Sequence, residues 1–352
     1  MTKVLVIEPA GQLWGSERAL LDLMGSAPGY EFAVCCPPDA PVIAELERRG
    51  IRWLPWIVAD LHRKSRWSRL GASLGIIAAS LTFRPDVIHL NQSGAYRIAL
   101  VAARLLGRPI VAHVRIFEDA AYLASCAPDS TLSGVVAISD AVEAEIRRFH
   151  ALDAIAVHRI YDAYAPSREA AADDGSDERL ARVACVGRVA PIKGQEVLVA
   201  AAALVGTDCL VIGDGEGEHV AALKATSPLN VVWTGFVTDI IPLLRTCSVL
   251  ACPSHREPLG RVIFEAWDAG AVPVVFAGAG GAPEIVTAAN GGLTYKKQTP
   301  ESLAAALSAA LALAPSDRAR LVANGRAWMR SNVAPELYGV AIASAFRQAA
   351  RP

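Results

Sequence analysis

Short apolar and β-branched runs recur through the first half of the chain, at Val4 to Ile7, Phe32 to Cys36, Ile51 to Leu54, Val87 to Leu90, Ile110 to Val114, Val135 to Ile138 and Ala156 to Ile160. Stretches with helical spacing lie between several of them, at Ser16 to Met24, Val42 to Arg49, Tyr96 to Leu106 and Ser139 to Phe149. Strand and helix in alternation predict a parallel sheet covered on both faces. Ligands of such sheets sit at the carboxyl ends of the strands.

The pattern stops after Ile160. Ala165-Pro166-Ser167-Arg168 leads into Asp173-Asp174-Gly175-Ser176-Asp177-Glu178, a polar stretch with no apolar period, which reads as a linker over 165–180. Alternation resumes at Val183 to Val186, Cys209 to Ile212, Val231 to Trp233, Val249 to Cys252 and Val272 to Phe276. The expected organisation is therefore an α/β chain of two doubly wound domains, 1–164 and 181–334. A final helix follows within 335–352, opening on Pro335, and can pack on either domain, back on the first among them.

Composition narrows the partners. A length of 352 residues suits two domains with a core each, and 34 basic against 35 acidic residues give a net charge of -1, so no nucleic acid is expected. The seven cysteines form no C-x-x-C pair and fall mostly in apolar runs, which reads as small core residues in a reducing, cytoplasmic compartment. The opening Met1-Thr2-Lys3-Val4-Leu5-Val6-Ile7-Glu8 meets an acid too early for a signal peptide and reads as a buried strand. Mean hydropathy is +0.33, yet the uncharged stretches Leu70 to Phe83 and Ser302 to Ser316 fall short of the roughly 20 residues of a spanning helix. Trp53, Trp56, Arg63, Lys64, Arg66, Trp67 and Arg69 gather bases and indoles over 53–69; this is either a peripheral membrane contact, an ordinary solvated helix face or a core with charged edges.

Two segments of the second half carry chemistry. His255-Arg256-Glu257-Pro258-Leu259-Gly260-Arg261-Val262-Ile263-Phe264-Glu265 follows an apolar strand, with Glu257 in the loop and Glu265 in the expected helix. Gly260 permits close backbone approach, the helix start offers free N–H groups, and a carboxylate can accept from two vicinal hydroxyls of a sugar. In Val186-Gly187-Arg188-Val189-Ala190-Pro191-Ile192-Lys193-Gly194, two cations flank one strand-to-helix loop and can converge on a pyrophosphate. Gly213-Asp214-Gly215 after the next strand is a weaker signal, often only a turn.

These segments together resemble glycosyltransferase family 4, over roughly residues 183 to 292. The resemblance implies the GT-B fold, two Rossmann-like domains facing a cleft, and retaining transfer of a sugar from a nucleoside-diphosphate sugar. It implies that Arg188 and Lys193 hold the donor diphosphate, that Glu257 and Glu265 read sugar and ribose hydroxyls, and that Gly213, Phe236, Val237, Gly260, Arg261 and Val262 line the donor. In the first half, Gly11-Gln12-Leu13-Trp14-Gly15 resembles the family's glycine-rich loop, with Trp14 breaking the glycine pair, so Gly15 carries over better than Gly11. His113, near the end of Ile110-Val111-Ala112-His113-Val114-Arg115, stands where the family often places a histidine beside the reacting sugar, and His89 is a weaker candidate.

In the reaction so implied, Arg188 and Lys193 draw charge onto the leaving diphosphate, Glu257 holds the sugar and His113 orients it. The acceptor is expected to be a glycan or a lipid-linked glycan, as in the synthesis of cell-surface polysaccharide. No Asp-x-Asp and no metal-spaced His or Cys cluster occurs in the sequence, so neither metal nor cofactor is expected. A nicotinamide-dependent dehydrogenase is disfavoured, because no G-x-G-x-x-G follows the first strand. An epimerase of the GT-B type, or a silent sugar-nucleotide-binding protein, shares the donor contacts and stays open.

Overall fold

A computed structural model describes residues 1–13, 15–56, 66–167, 180–215 and 217–350. Trp14, Arg63, Lys64 and the linker stretch 168–179 lie outside the described residues, as do the side chains of Arg66 and Trp67. In chain order the first elements are β1 (Thr2–Ile7), α1 (Gly15–Ser26), β2 (Tyr30–Cys36), α2 (Val42–Arg48), β3 (Arg52–Pro55), α3 (Arg66–Phe83), β4 (Val87–Leu90), α4 (Tyr96–Leu106), β5 (Ile110–Val114), α5 (Phe117–Ser125), β6 (Leu132–Ala137), α6 (Asp140–Ile146) and β7 (Ala156–Arg159). Then come β8 (Leu180–Val186), α7 (Gln195–Val205), β9 (Cys209–Ile212), α8 (Glu218–Thr226), β10 (Val231–Gly235), α9 (Ile241–Arg245), β11 (Cys247–Cys252), α10 (Arg261–Ala269), β12 (Val272–Phe276), α11 (Gly281–Ala289), β13 (Leu293–Tyr295), α12 (Pro300–Leu311), α13 (Pro315–Asn332) and α14 (Pro335–Ala349).

The chain divides into two compact units. Unit 1 is Met1–Ala163 together with Val333–Pro352, and unit 2 is Tyr164–Asn332. Unit 1 is built on a parallel sheet of order β3-β2-β1-β4-β5-β6-β7, and unit 2 on one of order β10-β9-β8-β11-β12-β13. Each sheet reverses its winding once, between β1 and β4 and between β8 and β11. A doubly wound sheet opens a crevice at the carboxyl ends of such a strand pair.

Both sheets owe their burial to helices on each face. Every residue of β4, β5 and β11 is buried, so these strands are continuous apolar runs rather than alternating ones. Helix α14 closes unit 1, where Tyr338, Ile342 and Phe346 join Leu20, Leu23 and Val34 in one core. Six of the seven cysteines are buried and all are free thiols. Among the described residues no helix is long and apolar enough to cross a membrane.

Trp56 is a core residue, the outcome in which this stretch is a core with charged edges. Its ring is 1% exposed and lies against Gly75 of α3, with Nε1 donating to the Ala72 carbonyl at 3.0 Å. An indole that fills the helix-sheet interface and has its N–H satisfied there offers nothing to a surface. Trp53 is half-buried and donates to Glu47 at 3.1 Å.

Candidate active site

In unit 2 the loops after β8 and β11 stand side by side at the reversal of strand order, and they carry Arg188, Lys193 and Glu257. Gln195, 1% exposed at the start of α7, shapes the first loop: its amide donates to the Arg188 carbonyl at 3.0 Å and accepts from the Ala190 N–H at 3.4 Å. His255 of the second loop donates its backbone N–H to the Ile192 carbonyl at 2.9 Å, and its Nε2 meets Glu196 Oε1 at 2.8 Å. The two loops are thereby tied together before any ligand arrives.

Lys193 and Glu257 form the centre of this arrangement. Lys193 Nζ donates to Glu257 Oε2 at 2.7 Å, and Ser254 Oγ donates to the same oxygen at 3.0 Å. The Glu257 backbone is pinned as well, its N–H donating to the Ala279 carbonyl at 2.7 Å and its own carbonyl accepting from Gly281 at 2.8 Å. Burial works against the charge on Lys193, but the adjacent Glu257 carboxylate outweighs it and holds the ammonium above its ordinary range. A lysine has three N–H donors, and among the described residues one is used here, to Glu257. The Arg188 side chain is exposed.

Glycine lets the backbone close around this centre. Gly260 precedes α10 with φ of +87°, and a side chain there would press on Ala282. The turn sets the start of α10, at Arg261 and Val262, beside the Glu257 loop. Gly213, with φ of +141°, packs so close to the Gly187 carbonyl that a Cβ would collide with it, which draws the ends of β8 and β9 together.

The other expected donor residues of unit 2 lie on α10 and on the loop after β10, and Gly15 lies in unit 1. Arg261 stacks over the Tyr164 ring at 5.8 Å, and Tyr164 in turn donates to Asp268 at 2.8 Å. Glu265 is half-buried one turn beyond Arg261 on α10. Phe236, 69% exposed, and Val237 lie on the loop after β10, two strands away from β8. Gly15 is the first residue of α1 in unit 1.

His113, expected beside the reacting sugar, lies in the interior of unit 1. Its ring is fully buried, with Nδ1 at 3.0 Å from His89 Nε2 and Nε2 at 3.4 Å from the Tyr338 hydroxyl. Burial, with Arg115 beside it, pushes its pKa well down, and His89 is pushed to about 3 by the same causes, so both imidazoles are neutral. The physical reason is the cover that α14 lays over β5: position 113 lies beneath it, one residue short of the strand end.

The carboxyl ends of β1 and β4 hold a buried polar network that the sequence reading passed over. Glu8 accepts from the Ala10 and Gly11 N–H groups at 2.9 and 3.1 Å and from Asn91, while Gln92 Nε2 lies 3.3 Å from both Glu8 and Glu17. Asn91 in turn accepts from Arg115, which is paired with Asp162 at 2.6 Å. The available signal was a charged or amide residue ending each apolar run, Glu8 after Ile7 and Asn91 after Leu90.

Burial, then the charge of Glu17, pushes the Glu8 carboxyl up from 4.5 to about 7, against the hydrogen bonds from Asn91, Gly11 and Ala10. The folded state therefore keeps a proton that the unfolded chain releases near 4.5, so stability falls as pH rises from there to about 7. The loss attributable to Glu8 is on the order of 3 kcal/mol. Urea unfolding at about pH 5 and pH 8 should show it, with a flatter profile in Glu8→Gln; equal slopes for the two proteins would remove Glu8 from the account.

Two parallel-sheet α/β units, each wound in both directions, with a cationic loop and a carboxylate facing each other at a strand-order reversal, define the GT-B architecture. Residues 167–328 match the family model for glycosyl transferases group 1. The D-inositol 3-phosphate glycosyltransferase of Segniliparus rotundus is 35% identical over 172 residues, covering 45% of this chain and 37% of that one. A GDP-mannose-dependent monoacylated alpha-(1-6)-phosphatidylinositol monomannoside mannosyltransferase of Corynebacterium glutamicum is 33% identical over 172 residues, 45% of this chain and 44% of its own. The chain thus spans well under two thirds of the length of either relative. Among solved structures, Anabaena Alr3699/HepE in complex with UDP-glucose has a TM-score of 0.80 at 22% identity, covering 99% of this chain and 100% of that one. A sucrose-phosphate synthase from Thermosynechococcus elongatus has a TM-score of 0.75 at 18% identity, with 99% of both chains covered. At these identities the likeness concerns the fold.

Proposed function

We propose that the protein transfers a sugar from a nucleoside-diphosphate sugar to a hydroxyl of a glycan or lipid-linked acceptor, with retention at the anomeric carbon and without a metal, in the synthesis of cell-surface polysaccharide. The observation that carries this reading is the Lys193–Glu257 pair at 2.7 Å beside the exposed Arg188 at the strand-order reversal of unit 2. The cations suit a diphosphate and the carboxylate suits hydroxyls, in one place. The relatives named above, each acting on nucleotide sugars or inositol phosphates by name, support it.

In this reading the bond from the anomeric carbon to the diphosphate oxygen breaks while Arg188 and Lys193 take up the charge that gathers on the leaving group. Glu257 binds hydroxyls of the sugar and Glu265 those of the ribose. The acceptor oxygen bonds to the anomeric carbon on the face the diphosphate leaves, and its proton passes to the departing phosphate. No side chain is required as general base.

Two measurements test this. Product formed in the presence of EDTA should carry the donor's anomeric configuration by NMR; an inverted product ends the retention claim, and activity abolished by EDTA ends the metal-free one. In a thermal-shift screen a preferred nucleotide sugar should raise the melting temperature, and Arg188→Ala should weaken its binding by roughly tenfold, the worth of one charge-assisted hydrogen bond. Unchanged binding would remove Arg188 from the donor site.

A further inference from the structure

The first residues of unit 2 are tied along α10, the helix that carries Arg261 and Glu265. Tyr164, 8% exposed, has its ring 5.8 Å from the Arg261 guanidinium and 5.9 Å from the Phe264 ring, and its hydroxyl donates to Asp268 at 2.8 Å. Positions 261, 264 and 268 are three, four and seven residues apart and share one side of a helix. Tyr164 therefore runs along two turns of α10, from its first residue to the one before its last.

Asp268 anchors this arrangement. It is 1% exposed, and besides the Tyr164 hydroxyl it accepts from the Ser167 N–H at 2.9 Å and from the Ser167 hydroxyl at 3.2 Å. Three donors thus replace the water that a buried carboxyl group gives up. Burial, then the charges of Asp268 and Glu265, push the Tyr164 phenol up, so its hydroxyl keeps the proton and acts as the donor. The end of α10 is fixed separately, where Arg326 donates to the Trp267 and Asp268 carbonyls at 2.8 and 2.9 Å.

The contacts at Asp268 and Phe264 would hold these residues on α10 without Arg261. The stacking at the other end of the ring acts instead on a long side chain at the helix start, beside the Glu257 loop. A guanidinium within about 6 Å of a ring face is attracted to it, and its plane suits both the ring and a phosphate. Such a contact narrows the orientations open to Arg261 before a ligand arrives.

We propose that Tyr164 is a positioning residue for the nucleotide-sugar donor, its ring presenting the Arg261 guanidinium to a donor phosphate while Asp268 holds the ring in place. The proposal rests on the sugar-transfer reading above. The test is titration calorimetry of the full chain with UDP and with GDP, following whichever nucleotide the wild type binds more tightly. Tyr164→Leu is expected to raise Kd about three- to tenfold, as for loss of a partly desolvated cation–π contact. Tyr164→Phe keeps the ring face and loses only the bond to Asp268, so it should restore most of that affinity. Arg261→Ala should weaken binding at least as much, and both substitutions together no more than Arg261→Ala alone, because the ring acts through the guanidinium. Wild-type affinity in Tyr164→Leu, additive losses in the double variant, or equal losses in the Leu and Phe variants would overturn the proposal. Should Tyr164→Leu fail to fold, Arg261→Lys serves in its place: it keeps the charge without the stacking plane, and wild-type affinity there overturns the proposal equally. Arg188→Ala tells the two failures apart. Unchanged affinity in that variant removes the donor reading and the proposal with it, whereas a loss there beside wild-type affinity in Tyr164→Leu removes the proposal alone.

Discussion

Replacing Lys193 by alanine is expected to lower kcat/KM for sugar transfer by about 10²- to 10³-fold, the range for loss of one group that stabilises developing charge. Two effects overlap in that variant. The leaving diphosphate loses a cation, and Glu257, its side chain only 11% exposed, loses its ion-pair partner. A double-mutant cycle with Glu257→Gln separates them. If Lys193 only balances Glu257, the double variant recovers activity together with stability. If Lys193 acts on the diphosphate, the double variant regains melting temperature while kcat/KM stays low. A Lys193→Ala enzyme within about threefold of wild type would end the assignment.

The sequence made this centre legible because its parts lie in two short segments with unusual chemistry. Two cations in an eight-residue loop and two acids bracketing a glycine are rare in surface loops, and each segment directly follows an apolar strand. Parallel sheets bury their strands on both faces, so the runs at Val87 to Leu90 and Ile110 to Val114 marked β4 and β5 to the residue. Strand β13, three residues with only one buried, left no such run to find. Helix α5 was missed for a related reason: nine residues opening on Phe117-Glu118-Asp119 show too short a period to separate from loop.

What stayed hidden was direction and partnership. A histidine near a strand end reads from sequence as facing a crevice, but whether α14, more than 200 residues later in the chain, covers that position is a tertiary fact. Ser254 and Gln195 were invisible for a similar reason. Each acts by a hydrogen bond that fixes a neighbouring site residue, at 3.0 Å to Glu257 and 3.0 Å to the Arg188 carbonyl, and neither has a residue type that signals this. Trp56 misled in the opposite sense, since an indole among bases suggests an interface until its burial against Gly75 is seen.

The same limit hid Arg115, whose replacement by alanine is expected to destabilise unit 1 by about 3–5 kcal/mol, the usual cost of breaking a buried pair from one side. Its guanidinium, 8% exposed, donates from one terminal nitrogen to both Asp162 oxygens at 2.6 Å, from Nε to the Asn91 backbone carbonyl at 2.9 Å and from the other terminal nitrogen to Asn91 Oδ1 at 2.8 Å. Burial alone would drain the charge from this group, but the Asp162 carboxylate more than restores it. Without Arg115, Asp162 keeps a buried charge with its main partner gone, and Asn91 loses the contact that orients its amide toward Glu8. The effect should therefore reach the Ala10–Gly11 turn, three hydrogen bonds away. Asp162→Asn combined with Arg115→Met removes both charges together and should cost distinctly less than Arg115→Ala alone, because no unpaired ion remains. Urea unfolding of the three proteins at neutral pH measures this directly, and an Arg115→Ala variant within about 1 kcal/mol of wild type would show that the pair contributes specificity of packing rather than stability.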